Sequence, residues 1–175
     1  MFGDDIVFRR VRGKTVMAKP PVQHDPRVPT AKQKAHVRRF QKAVKFATRM
    51  VGNDATRVEY ENGIKGRKYT ARLVAMSDFF NAPEIESIDA SAYQGAIGDR
   101  IIVDAIDDFK VMGVSLVITG PDGTMLEQGA AQLDPDDPDR WIYTATAANA
   151  IVAGTKIAAQ AVDKPGNVTA SEIVK

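Results

Sequence analysis

The chain contains no cysteine, which removes disulfides, thiolate metal centres, thiol nucleophiles and dithiol redox chemistry together. It has two histidines, His24 and His36, so most zinc sites and histidine-base schemes lack their ligands. No run of about 18 apolar residues occurs, and no membrane-spanning helix or membrane partner is expected. The opening stretch MFGDDIVFRR carries acids where a secretory signal needs a basic segment followed by an apolar one. A product made in the cytoplasm without a signal peptide, and associated with a particle if it leaves, is the expectation. G-x-S-x-G, Walker A, H-E-x-x-H and G-x-G-x-x-G are all missing. No enzyme, no cofactor and no small-molecule substrate is expected.

What is present is enough for a folded protein. Hydrophobic residues make up 44% of the 175 and charged residues 26%, which suits one domain or two small ones with a buried core. The net charge of +2 conceals a division. Residues 1–72 hold 18 Lys and Arg against 6 Asp and Glu, a net of +12, whereas residues 73–175 hold 6 against 16, a net of −10. Segregation on this scale serves electrostatic steering, docking on a polyanion or plus-to-minus association between copies, and it marks two modules.

Local signals divide the chain further. Residues 6–18, IVFRRVRGKTVMA, alternate in period two around Arg12-Gly13-Lys14 and predict a hairpin. KPPVQHDPRVPT follows, with four prolines between 20 and 29, and reads as an extended arm. Thr30 suits the N-cap of a helix from Ala31 to Val51, stopped by Gly52 and Asn53. Val37, Phe40, Val44, Ala47 and Val51 recur on one face at helical spacing and are the expected packing seam. Lys34, Arg38, Lys42, Lys45 and Arg49 form a cationic stripe beside it. DATRVEYENGIKG and TARLVAMSDFFN predict two shorter helices, the second capped by Thr70. Asn81-Ala82-Pro83 ends this part, because the residue before Pro avoids the helical region.

After Pro83 the texture becomes seven β-type runs: IESIDAS, RIIVDAI, GVSLVITG, TMLEQGAAQL, RWIYTATA, GTKIAAQAV and NVTASEIV. Seven short runs in roughly 90 residues fit an antiparallel sandwich. Pro121-Asp122-Gly123 and Lys164-Pro165-Gly166-Asn167 are the tight turns. Trp141 and Tyr143 share one face of their run, which puts at least one aromatic into the core between sheets. The expected class is therefore α+β: a hairpin and Pro-rich arm over 1–29, a basic helical module over 30–82 and an all-β sandwich over 83–175.

The run DAIDDFKVMGVSLVITGPDGTMLEQG, then RWIYTATA, then GTKIAAQAVDKPGNVTASEIV resembles bacterial immunoglobulin-like domains. Their late strands read A-x-D-x-x-G-N, matched here by Ala161, Asp163, Gly166 and Asn167. The resemblance covers about half the chain and implies an immunoglobulin-like sandwich without the antibody cysteine pair. The hairpin with its RGK, the Pro-rich arm and the helix beginning PTAKQKAHVRRFQKAVKFA are similar to uncharacterised proteins of prophage and phage-like clusters. That likeness implies a structural part of a virion or tail-like particle.

Two residue sets invite functional readings. Asp134, Asp136, Asp137 and Asp139 in LDPDDPDR, with Asp104, Asp107 and Asp108 in DAIDDF, offer hard oxygen ligands for Ca²⁺ if their loops meet at one end of the sandwich. The spacing is not that of an EF-hand, and solvated acidic turns stiffened by Pro are the plainer reading. The cationic stripe on the first helix, joined by Arg9, Arg10 and Arg12 of the hairpin, has three readings: an acidic protein surface, nucleic acid through phosphate contacts, or a solvated face. It lacks interleaved aromatics for stacking on single strands. His24 reads as a loop residue and His36 as a helix-surface residue.

The expected function is thus a non-enzymatic structural or assembly protein, a component of a phage-like or other multi-subunit particle, that docks on a protein partner or on itself through its arm and basic helix. The alternative is a nucleic-acid-associated protein that neutralises phosphate with the same residues. A second alternative is a carbohydrate-binding or hydrolytic module using sandwich-loop carboxylates and Trp141.

Overall fold

The structure is a computed structural model that describes residues 6–11, 13–19, 28–66 and 70–175. Arg12, His24 and most of the Pro-rich arm lie outside the described residues. The chain divides into two compact units, Met1–Val37 and Arg38–Lys175. The division falls inside the first helix, well before the change in texture at Pro83.

In the first unit, β1 (Val7–Val11) and β2 (Lys14–Ala18) form the expected antiparallel hairpin, in register from Val7 opposite Ala18 to Val11 opposite Lys14. Gly13 takes φ 79° in the turn, a conformation that only glycine adopts freely. Phe8 faces Met17 on one side of the ribbon and Arg9 faces Val16 on the other. Each face therefore mixes arginine with apolar side chains, and both stay exposed among the described residues: Phe8 is 66% and Met17 61% exposed. The helix α1 (Ala31–Gly52) starts in this unit. Thr30 Oγ1 accepts from the Gln33 N–H at 3.2 Å while Gln33 Oε1 accepts from the Thr30 N–H at 2.8 Å, a reciprocal cap for two otherwise unpaired donors.

In the second unit, the later turns of α1 pack with α2 (Asp54–Asn62) and α3 (Ala71–Phe80). Asn53 Oδ1 caps α2 through the Ala55 and Thr56 N–H groups, and Thr70 Oγ1 caps α3 through that of Leu73. Phe46, Ala47, Tyr60, Ala71, Val74 and Ala75 form a small buried core. The expected seam of α1 holds in its later turns, where Ala47 is buried and Val44 and Val51 are half-buried, and needs correction at its start. Ala43, Phe46 and Ala47 are the buried residues, whereas Phe40 is 48% exposed and its ring only stacks loosely on Phe80, with centroids 6.5 Å apart. Val37, in the first unit, is also exposed. A helix face is buried only where another element reaches it, so the seam turns toward α2 and α3 instead of following the longest apolar series.

The remaining strands make two four-stranded antiparallel sheets. One has the order β3-β4-β8-β7 and the other β10-β9-β5-β6, with β3 Glu84–Asp89, β4 Arg100–Ile106, β5 Val111–Thr119, β6 Met125–Ala130, β7 Gln132–Asp134, β8 Asp137–Thr144, β9 Lys156–Asp163 and β10 Val168–Val174. Strict alternation buries Ile101, Val103 and Ala105 of β4 with Trp141 and Tyr143 of β8, against Leu116 and Ile118 of β5 with Ile157, Ala159 and Ala161 of β9. The run TMLEQGAAQL yields two strands: β6 pairs with β5, and after Ala131 the chain crosses so that β7 pairs with β8. Seven runs thus become eight strands. Phe109, in the β4–β5 connection, reaches the helices and stacks on Tyr60 with ring centroids 4.2 Å apart. Among the described residues no helix is long and apolar enough to cross a membrane.

Candidate functional site

The cations expected to bind a partner are all on the surface where they are described: Arg9 and Arg10 on β1, Lys34 on the first turn of α1, and Arg38, Lys42, Lys45 and Arg49 further along it. None of them forms an ion pair among the described residues. Lys42, Lys45 and Arg49 stand with Phe46, Phe79 and Pro165 around a shallow groove of about 380 Å³. The Arg49 guanidinium lies 5.8 Å from the centre of the Phe46 ring, a cation–π contact that holds it without neutralising it. The neighbouring Arg39 donates to the Phe80 carbonyl at 2.9 Å and covers that ring.

A second constellation lies where α3 meets the sandwich. Asp78 on α3, Asp107 after β4 and Asp163 at the end of β9 bring carboxylate oxygens within 4.8 Å of one another. Asp78 and Asp163 are buried and Asp107 is half-buried. The Tyr60 hydroxyl donates to Asp78 Oδ2 at 2.5 Å, whereas Asp78 Oδ1 is buried and no donor reaches it. Asp163 holds the β9–β10 turn, in which Gly166 takes φ 94°. Its Oδ1 accepts from the Gly166 and Asn167 N–H groups at 2.8 and 2.5 Å, and its Oδ2 from the Asn167 amide at 2.6 Å. That amide also lies 3.1 Å from the Asn81 carbonyl and 3.3 Å from that of Phe79, so one side chain ties the turn to the C-terminus of α3. Asp107 Oδ1 accepts from the Phe109 N–H at 3.2 Å.

This arrangement resists ionisation. Burial pushes the Asp78 carboxyl up to about 7; the Tyr60 hydrogen bond pulls it back in part, and the charges of Asp107, Asp163 and Asp108 add to the rise. Burial also raises Asp107, against the hydrogen bond from Phe109 and with Asp108 and Asp163 adding to the rise. The Tyr60 phenol is driven up by burial and by Asp78. Lys164, on the turn after Asp163, is engaged elsewhere. It pairs with Glu59, whose carboxyl it lowers through that hydrogen bond, and its ammonium lies 5.6 Å from the centre of the Tyr60 ring. The C-terminus of α3 contributes further negative potential.

The acids singled out in the sequence are dispersed by comparison. Asp134 and Asp137 fold back on their own turn, accepting from the N–H groups of Asp136 and Asp139, which are exposed. Asp104 accepts from the Ser87 hydroxyl at 2.8 Å and shares Arg140 with Asp137, at 3.4 and 3.6 Å. A guanidinium therefore lies between the two acidic segments. Asp108 accepts from Ser77 and Asn81. Of the Ca²⁺ candidates, the structure gathers Asp107 alone, and with two residues that the sequence reading did not assign as ligands. Asp163 belongs in the sequence to the A-x-D-x-x-G-N turn. Asp78 carried a signal of its own, since it follows Ala71, Val74 and Ala75 at helical spacing and so occupies a core position.

Trp141 is 7% exposed and part of the sandwich core, which removes its ring as a platform for a sugar. Glu127 is buried too, and its Oε1 likewise has no hydrogen-bond partner among the described residues, but its Oε2 accepts from Tyr143, the Thr146 N–H and the Thr146 hydroxyl at 2.9, 2.7 and 2.7 Å. Burial and this carboxylate push the Tyr143 phenol up to about 12. The pair is a fastening between sheets and lies far in sequence from the aspartate cluster.

No protein-family model and no curated protein matches the chain. A solved structure, "The crystal structure of CopC from Methylosinus trichosporium OB3b", overlaps 51% of this chain and 87% of its own, with 14% identity and a TM-score of 0.38. At that score the likeness says nothing of this chain's chemistry.

Proposed function

We propose that this chain is a non-enzymatic assembly protein, a component of a phage-like or other multi-subunit particle, that docks on an acidic protein surface through the hairpin and α1. The observation that carries the reading is that Lys42, Lys45 and Arg49 stand around an apolar floor of Phe46 and Phe79 and pair with none of the carboxylates described in their own chain. A cluster of cations without an ion pair among the described residues attracts an anionic surface over a Debye length of roughly 8 Å at physiological salt. Residues 73–175 of another copy, with their net of −10, are the simplest such surface. The hairpin supports the same reading independently, because a two-stranded ribbon with apolar residues on both faces is marginal in water until something covers it. The sandwich is proposed to be immunoglobulin-like: the strand orders β3-β4-β8-β7 and β10-β9-β5-β6 correspond to A-B-E-D and G-F-C-C′ of that architecture.

Light scattering across a salt series tests the proposal. Larger species at low salt that dissociate as salt rises, and that vanish in the triple variant Lys42→Glu, Lys45→Glu, Arg49→Glu, are expected. A monomer at every salt concentration in the absence of a partner, combined with strong retention of arbitrary DNA in a gel shift at low salt, would instead identify phosphate as the counterpart of these cations.

A further inference from the structure

The geometry points to a divalent cation of calcium's class bound by Asp78, Asp107 and Asp163, clamping the C-terminus of α3 onto the end of the sandwich. Three independent elements deliver these carboxylates to one place within 4.8 Å. Two of the three side chains are buried, and Asp78, which is 0% exposed, keeps an oxygen that no donor reaches. Leaving a buried charged acceptor unsatisfied is costly unless something positive completes it. Neither Lys nor Arg does so among the described residues, since Lys164 pairs with Glu59 and Arg140 with Asp104 and Asp137. A proton on one carboxyl relieves one charge; three acids beside the negative end of a helix still leave an excess that a doubly charged ion meets directly.

The donor set decides the class of ion. Among the described residues the cluster consists of carboxylates alone, with no histidine or cysteine in it, which favours hard cations over zinc or copper. The fastening also explains why the surroundings are so firmly built. Asn167 fixes the Asp163 carboxylate and sits against the last carbonyls of α3, and Tyr60 fixes Asp78. Each carboxylate is thus held by a neighbour in the orientation it presents to the cluster, as the outer shell of a metal site requires.

The proposal is independent of docking on α1 and is tested on the whole chain. After dialysis against chelator, CaCl₂ at about a hundredfold excess over its Kd is expected to raise the melting temperature by roughly 5 °C or more, with MgCl₂ giving less. Tb³⁺ is expected to luminesce when excited through tyrosine, because Tyr60 touches a ligand. Asp78→Asn, nearly isosteric, should abolish both effects, and Tyr60→Phe should dim the luminescence while retaining most of the thermal shift. A folded wild type whose melting ignores chelator, Ca²⁺ and Mg²⁺ and which shows no Tb³⁺ emission overturns the proposal. So does an Asp78→Asn chain that keeps both responses. Should Asp78→Asn fail to fold, the wild-type shift and the Tyr60→Phe comparison decide the matter on the same terms.

Discussion

Two sets of aspartates in this molecule make opposite use of the same chemistry. Asp134, Asp136, Asp137 and Asp139 crowd into six residues yet remain separate, each turned to solvent, to a neighbouring N–H or to Arg140. Asp78, Asp107 and Asp163 are spread over 86 positions of sequence and are pressed together by the packing of α3 on the sandwich. Density along the chain produces charge, whereas burial produces a site. Water screens the first set at almost no cost, but the second must be satisfied by donors, protons or a cation.

The contrast can be broken from either side. The largest effect is expected at Asn167, whose amide serves Asp163 and the end of α3 simultaneously. Asn167→Ala should destabilise the fold by about 3 kcal/mol, read from denaturant midpoints, since hydrogen bonds to charged and buried acceptors are lost together. Next comes pH, with chelator present. The Asp78 carboxyl titrates near 7 in the folded chain against an ordinary value of 3.8, so the folded state holds its proton more tightly than the unfolded one. Its contribution to stability is complete below the ordinary value and disappears as pH rises through about 7. Tyr60, Asp107, Asp108 and Asp163 face it, and the three acids push in the same direction. The metal-free melting temperature should therefore fall by roughly 5 °C between pH 5 and pH 8. Asp78→Asn should remove most of that slope and raise metal-free stability at pH 8 by about 1 kcal/mol, since a buried charge is exchanged for a neutral amide.

The acidic turn should respond far less. Arg140→Ala, which releases Asp104 and Asp137 from partly exposed ion pairs, is expected to cost about 0.5 kcal/mol, and less at high salt. Asp136→Ala should stay within about 0.5 kcal/mol of wild type. A turn variant that costs as much as Asn167→Ala would remove the distinction between the two sets.

What could be read from the sequence was whatever is encoded locally. The Thr30, Asn53 and Thr70 caps or stops, the Gly13 hairpin, the Asp122-Gly123 turn and the period-two strands all depend on a few adjacent residues, and they stand where their chemistry puts them. Trp141 and Tyr143 entered the core because alternation left them no other face. The seam of α1 departs from its apolar series at Val37 and Phe40, which stay exposed, because the partners of the buried Phe46, Phe79 and Tyr60, come from elements whose position the helix itself does not specify. The crossing at Ala131 leaves no local mark for a similar reason: one β-type run, TMLEQGAAQL, serves two sheets. At the aspartate cluster, Asp107 stands out in the sequence through its neighbours Asp104 and Asp108, and Asp163 through a turn motif. Their meeting with Asp78 is a property of the tertiary fold. A lone acid on the apolar side of α3 was the one trace of it along the chain.

The most direct measurement is a calorimetric titration of Ca²⁺ into three chelator-treated chains: wild type, Asp78→Asn, and a variant with Asp134, Asp136, Asp137 and Asp139 all changed to Asn. One ion should bind to wild type and to the turn variant with closely similar affinity, and the Asp78→Asn chain should give no binding heat. Binding that survives Asp78→Asn and disappears with the turn variant would contradict the account.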